Sequence, residues 1–313
     1  MDGFINLLKP PGMTSSDAVV YVRKRLPRGT KVGHAGTLDP EAAGVLPVMV
    51  GRAARLSDYI MTGEKEYICE IALGVATDTQ DAQGTAVGEH NAPASEDELI
   101  NVLDRFCGDI MQVPSTFSAL KVGGRKMCDI VRQGGEVAPE ARPVTIYALD
   151  YLGRGAEDGY LLRVRCSKGT YIRALCDDIG KALGCGAHMR FLLRTLSAGF
   201  SIDDACTLEE LDADLSAHLM PIDAPIGYMP RVLCGRDLYA RMCCGNRLAC
   251  DMLRGDVDAA GCVRLYVNRE SDLDALERDA REGGTPKGYA FAGIVERDGD
   301  EMRFKAMLFE PED

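Results

Sequence analysis

The sequence predicts an α+β fold built on a mixed, mainly antiparallel sheet and followed by a small C-terminal β domain. Three observations carry that expectation. Apolar patterns of period two and of helical period alternate along the chain without a regular strand–helix–strand rhythm, which disfavours a doubly wound parallel sheet. The chain has 313 residues, enough for about two domains with cores of their own. Beyond residue 230, helical spacing gives way to short apolar stretches separated by turn residues. The expected organisation is therefore one domain over residues 1–229 and a second over 230–313.

Each element has a local reason. Lys9-Pro10-Pro11-Gly12 reads as a rigid turn. Thr14 and Asp17 have capping-box spacing, and Val19, Val22 and Leu26 recur at helical intervals before Pro27 and Gly29 end the segment. Val45 to Val50 reads as a buried strand despite Pro47. A second strand starts at Tyr67, where Tyr67, Cys69, Ile71 and Leu73 fall on one face. Leu162, Val164 and Cys166 alternate with Arg163 and Arg165, and Lys168-Gly169 turns the chain. Thr170 is then placed to cap a helix carrying Ile172, Leu175, Ile179 and Leu183 inward, with Arg173 one position off that stripe in the first turn.

Residues 202–229 are acidic and contain Pro221 and Pro225, which sets the domain boundary near their end. In the second domain the apolar stretches Cys262–Val267 and Tyr289–Val295, the Asp298-Gly299 turn and Met302–Phe309 predict strands. An acidic insertion over about 268–288 includes a helical piece from Asp272 to Glu282.

Composition narrows the function classes. No apolar stretch is long enough to span a bilayer and the N-terminus lacks a signal-peptide pattern, so a soluble cytoplasmic protein is expected, with no membrane partner. The twelve cysteines are scattered without a C-x-x-C pair and the four histidines have no ligand spacing, so reduced thiols and no metal are expected. Net charge is −12, yet residues 1–202 hold 23 basic against 24 acidic residues, while residues 203–313 hold 13 against 24. Within the balanced front part, Arg23, Lys24, Arg25, Arg28 and Lys31 form one basic cluster and Lys121, Arg125, Lys126 and Arg132 another. Either is a solvated face or a surface for phosphates.

The most informative stretch is Lys31-Val32-Gly33-His34-Ala35-Gly36-Thr37-Leu38-Asp39-Pro40-Glu41, continuing to Gly44-Val45-Leu46-Pro47. Pro40 disfavours helical geometry at Asp39, and the glycines let the backbone bend toward a ligand, so the carboxylate projects from a loop beside an apolar strand. Such an aspartate serves as a nucleophile or general base, or merely caps its own turn. There is no G-x-x-x-x-G-K-[ST] loop, no H-x-E with P-C-x-x-C and no calcium-loop pattern.

This run resembles the aspartate motif of the TruB family, the tRNA pseudouridine-55 synthases. Further ordered similarities are Lys9-Pro10-Pro11-Gly12-Met13-Thr14-Ser15, Lys65-Glu66-Tyr67, Thr77-Asp78-Thr79-Gln80-Asp81, Pro114 to Lys121, Gly169-Thr170-Tyr171-Ile172-Arg173 and Gly184 to His188. The resemblance implies a pseudouridine synthase fold with a central RNA-binding cleft and a PUA-like second domain. It implies isomerisation of the T-loop uridine of tRNA, without a cofactor, by a monomer that binds the T-arm stem-loop.

The resemblance also assigns roles. Asp39 matches the essential aspartate, Arg173 the arginine that pairs with it, Tyr67 the active-site tyrosine proposed to stack on the base and assist proton removal at C5, and Leu192 a leucine beside the base. His34 matches the histidine that fills the space left by the extruded base. Lys9, Asp81, Lys121 and Tyr171 are further RNA-site candidates, with Asp81 equally suited to orienting a loop. The guanidinium beside Asp39 and the positive end of the helix carrying it are both expected to favour the ionised carboxylate. The chain departs from the family pattern at Cys128, at Leu193 and in the acidic insertion. A guide-dependent synthase and a non-catalytic tRNA-folding factor remain alternatives.

Overall fold

The computed structural model describes residues 1–88, 92–118, 120–244, 246–268 and 288–308. β1 (Gly3–Lys9) leads through the Pro10-Pro11-Gly12 turn into α1 (Ser15–Arg23), and Thr14 and Asp17 make the expected capping box. The helix stops at Arg23, so Leu26 packs into the core from the turn that follows. β2 (Val32–His34) and β3 (Ala43–Val50) bracket the Asp39 loop. After α2 (Ser57–Met61) come β4 (Lys65–Leu73), a ribbon of β5 (Ala76–Thr77) with β6 (Ala86–Val87), α3 (Glu96–Leu103) and β7 (Gly108–Gln112). A second ribbon, β8 (Lys121–Val122) with β9 (Arg125–Lys126), precedes α4 (Met127–Arg132). β10 (Arg142–Arg154) and β11 (Tyr160–Cys166) form a long hairpin, followed by α5 (Ile172–Leu183), β12 (Ala187–Ser197), β13 (Phe200–Ser201) and α6 (Leu208–Ala213).

The main sheet runs β1-β3-β12-β4-β11-β10-β7, with β2 on β3 and β13 on β12. Its pairings are antiparallel apart from β3 with β12, so it is the mixed, mainly antiparallel sheet expected. β1 and β3 are buried on both faces. Ile5, Leu7, Leu46, Val48 and Val50 face a core shared with Ala18, Val22 and the stripe of α5, whereas Phe4, Val45 and Met49 face a second core with Leu56 and Ile60. Double burial explains why these strands read as nearly continuous apolar runs. Pro47 is accommodated within β3, its carbonyl accepting from Ala35 N at 2.9 Å.

α5 carries Ile172, Leu175 and Ile179 into the core, each worth about 1.5–3 kcal/mol of burial; Leu183 is half-buried. One local expectation fails. Thr170 is not the cap of α5, because its hydroxyl donates to Ser167 O at 3.0 Å and closes the preceding turn. Tyr171 is the N-cap residue and makes no side-chain cap. Instead Gln112 at the end of β7 accepts from Tyr171 N at 3.0 Å and donates to Tyr171 O at 3.2 Å. A partner 59 residues away is not readable from local sequence.

The C-terminal sheet contains β14 (Arg231–Gly235), β15 (Leu248–Ala249), β16 (Arg254–Gly255), β17 (Cys262–Asn268), β18 (Tyr289–Asp298) and β19 (Glu301–Met307), in the order β15-β19-β18-β17-β14-β16. α7 (Arg236–Cys243) packs Tyr239 and Met242 into its core. The sheet is not independent of the first: Ile294 and Leu308 join the core of Phe4, Val45 and Met49. The Asp272–Glu282 insertion and Phe309 lie outside the described residues. Among the described residues no helix is long and apolar enough to cross a membrane.

Candidate active site

The Asp39 loop is pinned from three sides. Ser15, first residue of α1, both accepts from Leu38 N at 2.9 Å and donates to Leu38 O at 3.0 Å. Lys9 is fully buried and its ammonium donates to Pro10 O, Met13 O and Pro40 O at 2.8, 2.7 and 3.0 Å. Arg194 on β12, also buried, donates from Nη2 to Gly36 O at 3.0 Å, from Nη1 to Thr37 O at 3.4 Å and from Nε to Val45 O at 2.8 Å. Gly44 makes this approach possible: it sits at φ +114°, and a Cβ there would lie 2.2 Å from Arg194 O. The loop backbone is thus fixed by side chains from β1, α1 and β12.

Arg173 turns its guanidinium to the site through four hydrogen bonds from Nη1 and Nη2 and an ion-pair contact from Nε. Nε and Nη2 form a fork on Asp39 at 3.0 and 3.3 Å. Nη1 reaches Asp81 Oδ2 at 3.4 Å and Thr79 O at 3.1 Å, and Nη2 also donates to Phe117 O at 3.1 Å. The guanidinium is only 6 % exposed, while the Asp39 carboxylate keeps 38 % of its side-chain surface open to the cleft. Such a bidentate pair fixes orientation as well as charge.

The expectation that Arg173 would hold the Asp39 carboxyl low needs correction. Burial is the larger influence and, with Asp81 adding its like charge, pushes the carboxyl above its ordinary value although Arg173 and Lys9 pull it down. The pair therefore holds a carboxylate in place without making it a weaker base.

The cleft above this pair has a volume of about 730 Å³, within the range of small-ligand sites. Asp39, Tyr67, Tyr171, Arg173, Leu192 and Arg194 line it. Tyr67 is buried on β4, and burial raises its phenol, with Arg194 the largest opposing influence. Leu192 is buried on β12 opposite Cys69. The Tyr171 phenol is also raised by burial.

The other candidates fall elsewhere. Lys9 was a candidate RNA contact, but its buried ammonium has given its three protons to carbonyls, so it holds the loop instead. Asp81 accepts from Thr79 Oγ1 at 2.6 Å and Gln83 N at 3.0 Å and faces Arg173, contacts that suit the loop-orienting reading. His34 lies on β2 opposite Val48 and is not among the residues lining the cleft. Lys121 is in β8, and its side chain lies outside the described residues. Sequence reading missed Arg194, Lys65 and the loop-pinning role of Ser15. Ser15 and Lys65 belong to recognised motifs, and the available signal for Arg194 was its place in the Leu192-Leu193-Arg194 run of β12.

Known proteins resemble this chain in sequence and in fold. Residues 23–172 match the N-terminal domain model of the TruB family pseudouridylate synthases, and residues 173–226 match the tRNA pseudouridylate synthase B C-terminal domain. Among curated relatives, tRNA pseudouridine synthase B of Alkaliphilus oremlandii is 43 % identical, covering 86 % of this chain and 91 % of its own. The enzyme of the same name from Symbiobacterium thermophilum is 48 % identical over 77 % and 81 %. That of Clostridium perfringens is 37 % identical over 99 % and 100 %.

Among solved structures, a Cbf5-Nop10-Gar1 complex matches with TM-score 0.64 and 26 % identity, covering 93 % of this chain and 84 % of that one. An H/ACA RNP bound to a substrate RNA containing 2′-deoxyuridine matches with TM-score 0.67 and 24 % identity over 99 % and 86 %, a likeness of fold. The shared architecture is the α+β pseudouridine synthase fold with a curled, PUA-like C-terminal β half-barrel. On the matched models, and on relatives this similar over nearly their whole length, the chain belongs to the TruB family of pseudouridylate synthases, a family of isomerases.

Proposed function

We propose that the protein acts alone on tRNA, converting the T-loop uridine at position 55 to pseudouridine by base flipping and an Asp39-dependent exchange of the glycosidic bond. The observation that carries this reading is the Asp39–Arg173 fork at the floor of a cleft large enough for an extruded base. The reaction breaks N1–C1′ and forms C5–C1′. The C5 proton leaves and N1 gains one, so product and substrate are isomers and neither oxidant nor energy source is consumed. A uridine inside a folded loop must leave its stack to reach Asp39.

In this reading Asp39, oriented by Arg173, starts bond breakage by attack at C1′, addition to C6 or deprotonation at C2′. Tyr67 packs on the base and receives the C5 proton, and Leu192 and Tyr171 shape the walls. His34 fills the vacated stack in the RNA. Residues 1–229 form the catalytic domain and 230–313 a PUA-like RNA-binding domain, in a monomeric cytoplasmic enzyme whose partner is the T-arm stem-loop.

The test is tritium release from [5-³H]uridine-labelled tRNA transcript, with the product position mapped, in chelator and without guide RNA. Release at the T-loop uridine by the wild type, abolished in Asp39→Asn, is the expected result. Tight tRNA binding without release would point to a guide-dependent synthase or an RNA-folding factor.

A further inference from the structure

Arg194 is a buried guanidinium whose role is not exhausted by holding the loop. It is 1 % exposed, and among the described residues no carboxylate lies within ion-pair distance of it. Its three hydrogen bonds go to carbonyls of Gly36, Thr37 and Val45. In the β4–β12 pairing it stands directly opposite Tyr67, and both side chains line the cleft. Cross-strand partners on one face lie within about 5.5 Å at Cβ, close enough to interact.

We propose that Arg194 is the positioning residue for Tyr67, setting the phenol against C5 of the bound base and supporting its negative charge while the C5 proton is removed. The inference rests on the function proposed above and deepens it. In the step concerned, the Tyr67 phenol gives its proton to cleft water and the phenolate Oη takes the proton from C5. The C–H electron pair restores the C5=C6 double bond as the C6=N1 π pair moves onto N1, which takes up a proton from cleft water. A buried phenol resists ionisation, and the groups around this one are Arg194 on β12, Cys166 on β11, Lys65 on its own strand and Asp39 on the loop. Asp39 and the Cys166 thiol oppose the phenolate, while Arg194 is the largest influence favouring it. Lys65 turns its ammonium to Gly63 O at 2.7 Å and Met61 O at 3.3 Å. Arg194 is therefore the cation aimed at this step.

A role through Tyr67 predicts which half of the reaction suffers. RNA carrying 5-fluorouridine passes through bond cleavage and rejoining but has no C5 proton to lose, whereas uridine RNA must complete both halves. Single-turnover rates on both RNAs are compared for wild type, Arg194→Lys, Arg194→Met, Tyr67→Phe and the double variant Tyr67→Phe/Arg194→Met. Arg194→Met should lose at least about tenfold more rate on uridine RNA than on the fluorinated RNA. A deuterium isotope effect from [5-²H]uridine should emerge or grow, and in the Tyr67→Phe background the substitution should cost uridine RNA no more than the loop-anchoring loss it shows on the fluorinated RNA. Should Arg194→Met fail to fold, Arg194→Lys, which keeps a cation but loses the fork, carries the same comparison. Equal losses on both RNAs, or additive losses in the double variant, would reduce Arg194 to a scaffold for the Asp39 loop and overturn the proposal. A wild type that releases no tritium would instead sink the underlying function.

Discussion

At the scale of single residues, the site consists of one half-buried carboxylate, open on its cleft side, held by buried cations. Because the carboxyl of Asp39 is raised by burial, the acid limb of the rate profile should be centred above the ordinary carboxylate value of about 3.9. A limb at or below that value would contradict the burial argument. The sign for stability follows from the same shift. Between the ordinary value and the raised one, the folded protein holds a proton that the unfolded chain has released, so stability falls as pH rises through that window. Asp39→Asn removes this slope, which urea melts of both proteins from acid to neutral pH would show. Lys9 offers a second check. Lys9→Met leaves the carbonyls of Pro10, Met13 and Pro40 without their donor and should cost about 2–3 kcal/mol of stability and lower kcat. RNA affinity should stay nearly unchanged, and a large rise in KM with little change in stability would return Lys9 to the RNA surface.

At the scale of elements, the decisive feature is the approach of β3 to β12 at Gly44. Gly44→Ala would bring a methyl to 2.2 Å from Arg194 O at a φ of +114°, so the strands must part and the loop must lose its Arg194 anchor. We expect a loss of more than about 2 kcal/mol and a fall in turnover larger than the fall in binding, read from denaturant melts and single-turnover rates. A variant as stable and active as wild type would show that the close approach is not a constraint. The legible part of the fold was the part set by local chemistry: the Thr14–Asp17 cap, the alternation in β4 and β11, the apolar stripe of α5. The Asp39 loop was legible for the same reason, through glycine and proline. What failed was what depended on distant partners. Gln112 replaced the expected Thr170 cap, and Lys9 read as an RNA-site candidate because nothing in its neighbourhood announces Pro40 O. Arg194 was legible only as part of the Leu192-Leu193-Arg194 run and received no role, because only the strand pairing sets it opposite Tyr67.

At the scale of the whole molecule, the second sheet shares a core with the first through Ile294 and Leu308 against Phe4, Val45 and Met49. Deleting residues 230–313 would expose that apolar face, so the truncated chain should unfold or aggregate, and RNA binding is better tested by charge. The net charge of −12 is concentrated beyond residue 202, which leaves the basic cluster after α1 as the natural meeting point for phosphates. Its members are not equivalent. Arg25 is engaged with Asp212 and stacks on Tyr21, whereas Arg23, Lys24 and Arg28 are exposed. Removing one cation that pairs with a phosphate should lower the slope of log K against log salt by roughly one unit. The triple variant Arg23→Gln/Lys24→Gln/Arg28→Gln should therefore weaken tRNA binding and flatten its salt dependence by up to about three units. Folding should be intact, since none of the three side chains is buried. Arg25→Gln should lose stability because Asp212 is left without its cation, but leave the slope in place. A triple variant with an unchanged slope would move the RNA backbone off α1, and the same titration on Arg125→Gln/Arg132→Gln would then ask whether it runs along the β8–β9 ribbon.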